Sequence, residues 1–278
     1  MRTIKIVADS SANVLTLQEV PFASAPLKII TPEQEFIDNE NLDVDGFVDF
    51  FDTYKGKSRT SCPNTADWLA AFGDADDIFC VTITSGLSGC YNSACMAKQM
   101  YEQEHPGKRV CVIDTLSTGP EMALLIEELE AHIKAGLTYD EIVPLIQPYL
   151  EKTGLLFMLG SLKNFAANGR VSPAIAKITG ILGIRIVGKA SDKGTLEPLH
   201  KCRGEQKSLE AIFSHIKEDG FSSGKIRIAH CRNENAANPL KQMVLQEFPQ
   251  ADIQVTHWLG LCCYYAENSG FLVGYEKK

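Results

Sequence analysis

Ile78-Phe79-Cys80-Val81-Thr82-Ile83-Thr84-Ser85-Gly86-Leu87-Ser88-Gly89-Cys90-Tyr91-Asn92-Ser93-Ala94 passes from an apolar run into a Ser/Gly turn and then into a helical pattern. Ile78 to Ile83 is short and nearly continuously apolar, as in a strand buried on both faces. Gly86 and Gly89 permit a tight turn with close backbone approach, so Ser88, Gly89 and Cys90 are expected to form the exposed first turn of the helix. A hydroxyl and unpaired N–H groups gathered there make a cradle for an oxyanion or a carboxylate. The turn lacks the Lys that follows a phosphate-binding loop, and neither GxxxxGK[ST] nor GxGxxG occurs in the chain.

Outward from this stretch, Ile4 to Ala8 and Val110 to Ile113 repeat the strand pattern. Val44, Phe47, Val48, Phe51 and Tyr54 fall at helical spacing, and Ser88 to Tyr101 and Met122 to Ala135 also read as helices. Strand, helix, strand at this rhythm predicts a parallel α/β sheet. Asn64 before Thr65-Ala66-Asp67, Thr138 three residues ahead of Glu141, and Ser172 ahead of Pro173 mark helix starts. After Glu151 the pattern changes to Leu155-Leu156-Phe157-Met158, a glycine-rich helical stretch, Ile184 to Val187, Leu196 to Cys202, then helix, strand, helix, strand. We place a domain boundary there, giving residues 1–155 and 156–278.

Three further segments carry chemistry. Asp9-Ser10-Ser11 stands at the carboxyl end of the first strand, where open parallel sheets bind ligands, or serves as a capping turn. Thr60-Ser61-Cys62-Pro63-Asn64 sets two hydroxyls upstream of a helix N-terminus, where they can donate to an anion. Asn168-Gly169-Arg170-Val171-Ser172-Pro173 offers a guanidinium fit to hold a carboxylate or phosphate. No metal site is expected: adjacent Cys262 and Cys263 cannot easily chelate one tetrahedral ion, and no second pair has zinc-finger spacing. Nor is Gly-Leu-Ser88-Gly the G-x-S-x-G elbow of a hydrolase.

The 278 residues carry 27 Lys and Arg against 35 Asp and Glu, a net charge of −8, which argues against nucleic acid as partner. The 45% hydrophobic content is that of an ordinary globular protein. No apolar run approaches the length of a bilayer span, Trp258 to Ala266 being the longest near the C-terminus, and the acidity disfavours an anionic membrane surface. Nine cysteines without a CxxC pair, behind an N-terminus with no signal-peptide core, read as reduced cytoplasmic thiols, and the mature protein is expected to start at residue 1.

Asp9-Ser10-Ser11, Thr60-Ser61-Cys62-Pro63, Ser85-Gly86-Leu87-Ser88-Gly89, Gly169-Arg170-Val171-Ser172 and Arg203-Gly204 stand in the order and spacing of the DegV family of bacterial fatty-acid-binding proteins, which the chain resembles from about residue 3 to 276. Any one motif is weak; five in order are specific. The resemblance implies two α/β domains, the first with a mainly parallel sheet flanked by helices and the second with a mixed sheet. One long-chain fatty acid, about C14 to C18, would be buried between them. It further implies that the acid's carboxylate is held by Thr60 and Ser88 and by the N–H groups of Gly89 and Cys90. Ser10, Ser61, Arg170 and Ser172 are expected behind the head group or facing a partner. That partner is a separate fatty acid kinase, which makes this chain a carrier without a cofactor, not an enzyme.

Three departures from the family pattern stand out. Cys62 replaces a common Gln and Cys90 a common Thr. Many relatives also carry a His in a C-terminal G-x-H-x-G-P-G segment, whose position here falls on or beside Ala266 within Gly260 to Gly270. Two other readings compete: an acyl or phosphoryl transferase with Ser88 as nucleophile, which needs a base within reach, and a thiol sensor built on Cys62, Cys90 or the 262/263 pair.

Overall fold

A computed structural model of the chain describes residues 2–172 and 183–278. The helix expected after Ser172, with its Pro173 start, lies outside them. Strands β1 (Ile4–Asp9), β2 (Phe22–Ala25), β6 (Asp77–Thr82) and β7 (Arg109–Asp114) form a parallel sheet of order β2-β1-β6-β7. All of β6 is buried, matching its unbroken apolar run. Helices α1 (Val44–Thr53) and α2 (Thr65–Phe72) lie between β2 and β6, α3 (Cys90–Glu104) joins β6 to β7, and α4 (Pro120–Lys134) follows β7 out of the sheet. The capping boxes read at Asn64/Asp67 and Thr138/Glu141 are both formed, the second opening α5 (Tyr139–Leu150).

The sheet changes at β8 (Thr153–Leu159), the first strand of a six-stranded mixed sheet of order β10-β9-β8-β13-β11-β12. A division at 155/156 therefore cuts β8: the apolar run that marked the change of pattern is itself a strand of the second sheet. The other strands are β9 (Ile184–Ala190), β10 (Leu196–Arg203), β11 (Lys225–His230), β12 (Asp252–His257) and β13 (Phe271–Glu276). Only β11 and β12 pair in parallel. Helices α6 (Lys163–Ala167), α7 (Glu205–Glu218), α8 (Glu234–Glu247) and α9 (Gly260–Ala266) complete the described elements. The expected closing run of helix, strand, helix, strand is followed by one more pair, α9 and β13, and the chain still ends on a strand.

A third sheet was not foreseen: β3 (Lys28–Ile30), β4 (Glu35–Ile37) and β5 (Arg59–Ser61) pair antiparallel, with Ile29 opposite Thr60. Each strand has three residues, too few for a period to be read. Thr60 and Ser61, expected in a loop, thus sit on a strand.

Alternation along β8 separates two cores. Leu155, Phe157 and Leu159 point toward the first sheet, while Leu156 and Met158 pack with Leu209, Ile212 and Ile216 of α7 on the other face. Helix α4 lies between the sheets. Arg227 of β11 grips Glu127 of α4 through two bonds of 2.6 and 2.7 Å, and Glu121 accepts from Thr153 at 2.7 Å. Gly274 of β13 makes room for the helix start, since a Cβ there would lie 2.6 Å from Glu121 N and from Pro120 C. We expect Gly274→Ala to push α4 off β13 and destabilise the protein by about 1–3 kcal/mol, read by chemical denaturation; unchanged stability would contradict this packing.

Candidate functional site

The carboxyl ends of β1 and β6 converge on a crevice where the chain leaves the central strands in opposite directions. Asp9 ends β1, fully buried, and its carboxylate accepts from Ile83 N at 2.7 Å and Ser11 N at 3.1 Å. Burial pushes its pKa up to about 6 against the lowering effect of these bonds. Ser10 donates to Asp38 at 2.7 Å and accepts from Leu27 N, again fully buried. Asp9-Ser10-Ser11 is therefore a capping turn, and Ser10 neither faces a partner nor lines a cavity. Asp38 in turn accepts from Gly260 N at 2.7 Å, and Asn13 Oδ1 from Leu259 N at 3.0 Å. These bonds tie the start of α9 to the first half of the chain.

Between the sheets lies a cavity whose wall is mostly apolar. Leu155, Phe157, Leu159 and Leu272 wall it from the second sheet; Leu27, Ile83, Leu87 and Leu116 face them from the first half. Thr60, Ser88, Arg170 and Tyr265 also line it. Thr60 Oγ1 and the Tyr265 hydroxyl share a hydrogen bond of 2.7 Å, and Asn168 Oδ1 accepts from Thr60 N at 3.2 Å. Arg170 donates to Leu87 O at 3.2 Å and Asn168 O at 2.6 Å, and no carboxylate pairs with it among the described residues. Burial raises the Tyr265 pKa, opposed by the Thr60 bond and then by the Arg170 charge, so the phenol stays protonated.

The Ser88 turn differs from its expected form. Gly89 is the N-cap of α3 and exposed, while Cys90, expected on an exposed first turn, is fully buried because its side chain packs back into the core. Neither lines the cavity. Cys90 N donates to Ser88 Oγ at 3.3 Å, and Ser88 Oγ donates to Cys90 Sγ at 3.2 Å. No His, Lys or carboxylate hydrogen-bonds Ser88 among the described residues. Ser61 is half-buried, its hydroxyl 3.3 Å from Cys62 O, and off the cavity; Ser172 is exposed at the edge of the described residues.

Tyr265 is the residue that sequence reading passed over. It follows Tyr264, whose hydroxyl meets Ser58 Oγ at 2.7 Å and Asn168 Nδ2 at 2.9 Å, so two successive tyrosines of α9 reach two residues two apart near β5. The apolar run Trp258 to Ala266 concealed this, because tyrosines inside it count as core until their hydroxyl partners are known. Ala266, where the sequence reading looked for a His, is buried on the cavity wall. No group of three or more His, Cys, Asp or Glu is placed to hold a metal among the described residues.

The loop across the cavity is held by close backbone contact. Thr84 Oγ1 donates to Gly194 O at 2.8 Å, and a Cβ at Gly86 would lie 2.5 Å from Lys193 O. Gly86 is thus the residue that lets the β9–β10 hairpin close on the Ser/Gly turn.

Comparison with known proteins agrees with this architecture. A family model described as "Uncharacterised protein, DegV family" matches residues 3–269. A DegV domain-containing protein of Streptococcus pneumoniae is 42% identical, covering 99% of both chains. Among solved structures, a DegV family protein from Eubacterium eligens loaded with heptadecanoic acid has a TM-score of 0.97 at 42% identity, covering 99% of this chain and 100% of that one. The Streptococcus pneumoniae Fatty Acid Kinase (Fak) B3 protein loaded with linoleic acid matches equally, with a TM-score of 0.97, 42% identity and the same coverage. With a family model matching nearly its whole length and a relative 42% identical throughout, the chain belongs to the DegV family.

Proposed function

We propose that the protein binds one long-chain fatty acid in the cavity between its sheets and presents the carboxylate to a separate fatty acid kinase in the cytoplasm. The observation that carries this reading is an apolar cavity with a hydroxyl, phenol and guanidinium cluster, Thr60, Ser88, Tyr265 and Arg170, in its wall. At about 0.8 kcal/mol per buried methylene, a chain of roughly fifteen would contribute on the order of 12 kcal/mol before ordering costs. The tail then dominates affinity, and the head-group donors set register and orientation. Arg170 supplies positive charge in a protein of net charge −8, and Thr60 and Ser88 supply neutral donors. Cys90 N is already engaged by Ser88. Kinship with the Fatty Acid Kinase (Fak) B3 protein supports the kinase partnership.

Lipid extracted from the purified protein should contain a fatty acid of about C14 to C18 by mass spectrometry. An empty protein that shows no thermal shift with any such acid would overturn the reading. Changing both Thr60 and Ser88 to Ala removes two hydrogen bonds to a charged group, at about 1.5 kcal/mol each, so affinity should fall about a hundredfold with folding intact. Unchanged occupancy would place the head group elsewhere. Tyr265→Phe keeps the ring against Phe165, 4.7 Å between centroids, but leaves Thr60 without its phenol partner. We expect a loss of about 1 kcal/mol in acid binding, roughly fivefold, by fluorescent-acid displacement.

A further inference from the structure

The segment that leaves β7 for α4 forms part of the cavity wall through three successive residues, Leu116, Ser117 and Thr118. Among the described residues, four buried side-chain N and O atoms make no hydrogen bond, those of Asn13, Ser24, Ser117 and Trp258; of these residues, Ser117 is the one that lines the cavity. It is 2% exposed, so bulk water does not satisfy its hydroxyl. Thr84 and Thr195 of the same wall spend their hydroxyls on Gly194 O at 2.8 Å and Ser191 Oγ at 2.9 Å. The Glu121 carboxyl is near enough for the Ser117 hydroxyl to lower its pKa, yet no hydrogen bond joins them, and Glu121 Oε1 is taken by Thr153 at 2.7 Å.

The turn that carries Ser117 is fixed through its backbone. Ser117 O accepts from Thr84 N at 2.8 Å, and Ser117 N donates to Thr115 Oγ1 at 3.3 Å. Leu116 stands in the left-handed region at φ 51°, which a leucine adopts only where its surroundings force it, and its N–H donates to Asp114 Oδ1 at 3.2 Å. The backbone therefore cannot swing Ser117 toward another partner. A buried hydroxyl left unpaired costs free energy that a hydrocarbon tail cannot return. An oxygen on the tail can return it, because a serine hydroxyl both donates and accepts.

We propose that the cavity selects a long-chain fatty acid bearing a hydroxyl or oxo oxygen within its acyl chain, and that Ser117 binds that oxygen. The proposal rests on the fatty-acid reading and gives its ligand a class. Thr60, Ser88, Tyr265 and Arg170 meet the carboxylate, and Ser117 meets a second polar group along the tail. With both ends of that span fixed by the protein, the position of the oxygen is read as well as its presence. An acid without the oxygen still gains from burying its methylenes but leaves Ser117 unpaired.

Delipidated full-length protein is titrated, by displacement of a fluorescent fatty acid, with stearic acid and with hydroxystearic acids that differ in the position of the hydroxyl. One position should bind about tenfold more tightly than the others, whose hydroxyls are buried against apolar wall without a partner. Ser117→Ala should erase that preference, lowering the affinity of the favoured hydroxy acid about tenfold relative to stearic acid, and Ser117→Cys, similar in size but a weaker donor, should keep part of it. Delipidated S117A should resist denaturant at least as well as the wild type, since the hydroxyl it removes bonds nothing in the protein. Hydroxy acids that bind alike at every position, or a preference that survives in S117A, overturn the assignment. A less stable S117A does so too, because the hydroxyl then serves the fold. Protein that binds neither stearic acid nor any hydroxy acid contradicts the fatty-acid reading itself, so the two readings fail separately.

Discussion

One apolar face governs the architecture: the side of β8 and β13 that carries Leu155, Phe157, Leu159 and Leu272 must be kept from water. Those side chains alternate with Leu156, Met158, Phe271 and Val273, which already pack under α7 and α8. The second sheet is thus apolar on both faces, and its inner face has to meet the first half of the chain. Helix α4 fills part of that space, drawn in by the absence of a side chain at Gly274 and fixed by the bond pair from Arg227 to Glu127. The cavity is the part α4 does not fill.

An apolar slot of this kind gains a direction only from what stands in its wall. Thr60 comes from the small third sheet, Ser88 from the turn after β6, Arg170 from the segment after α6 and Tyr265 from α9. Four elements from both halves meet, so the cluster exists only when the halves are docked. The docking bonds are themselves buried and polar: Asp38 holds Ser10 and Gly260 N, and Asn13 holds Leu259 N. Burial pushes the Asp38 carboxyl up to about 6, above its ordinary unfolded value near 4. A carboxyl raised on folding contributes stability that is full below pH of about 4 and lost as pH rises through about 6. At neutral pH this junction is therefore held by its hydrogen bonds against a desolvation cost, and removing either partner leaves the other unpaired in the interior.

The parallel first sheet was legible because its strands are continuous apolar runs separated by capped helices, and both capping boxes formed where Asn64/Asp67 and Thr138/Glu141 predicted them. The three-residue strands β3 to β5 were not legible, since strands that short carry no period and are made by pairing alone. Of the candidate site, Thr60, Ser88 and Arg170 were found by motif and do line one cavity. Ser10 was not separable from them by sequence: a serine at the end of a strand reads the same whether its hydroxyl faces a ligand or a buried carboxylate. Tyr265 was hidden for the converse reason, an amphipathic side chain within an apolar run, whose hydroxyl acquires meaning only through Thr60 on a distant strand.

The phenol of Tyr265, beside Ala266 in the cavity wall, behaves differently from an imidazole. Imidazole titrates near neutral pH, whereas a buried phenol remains a neutral donor and acceptor across that range. Tyr265 bonded to Thr60 therefore sets an uncharged hydroxyl pair in the cavity wall. Arg170 and Lys189 are the basic side chains in the cavity wall among the described residues, and Arg170 is held there by the carbonyls of Leu87 and Asn168.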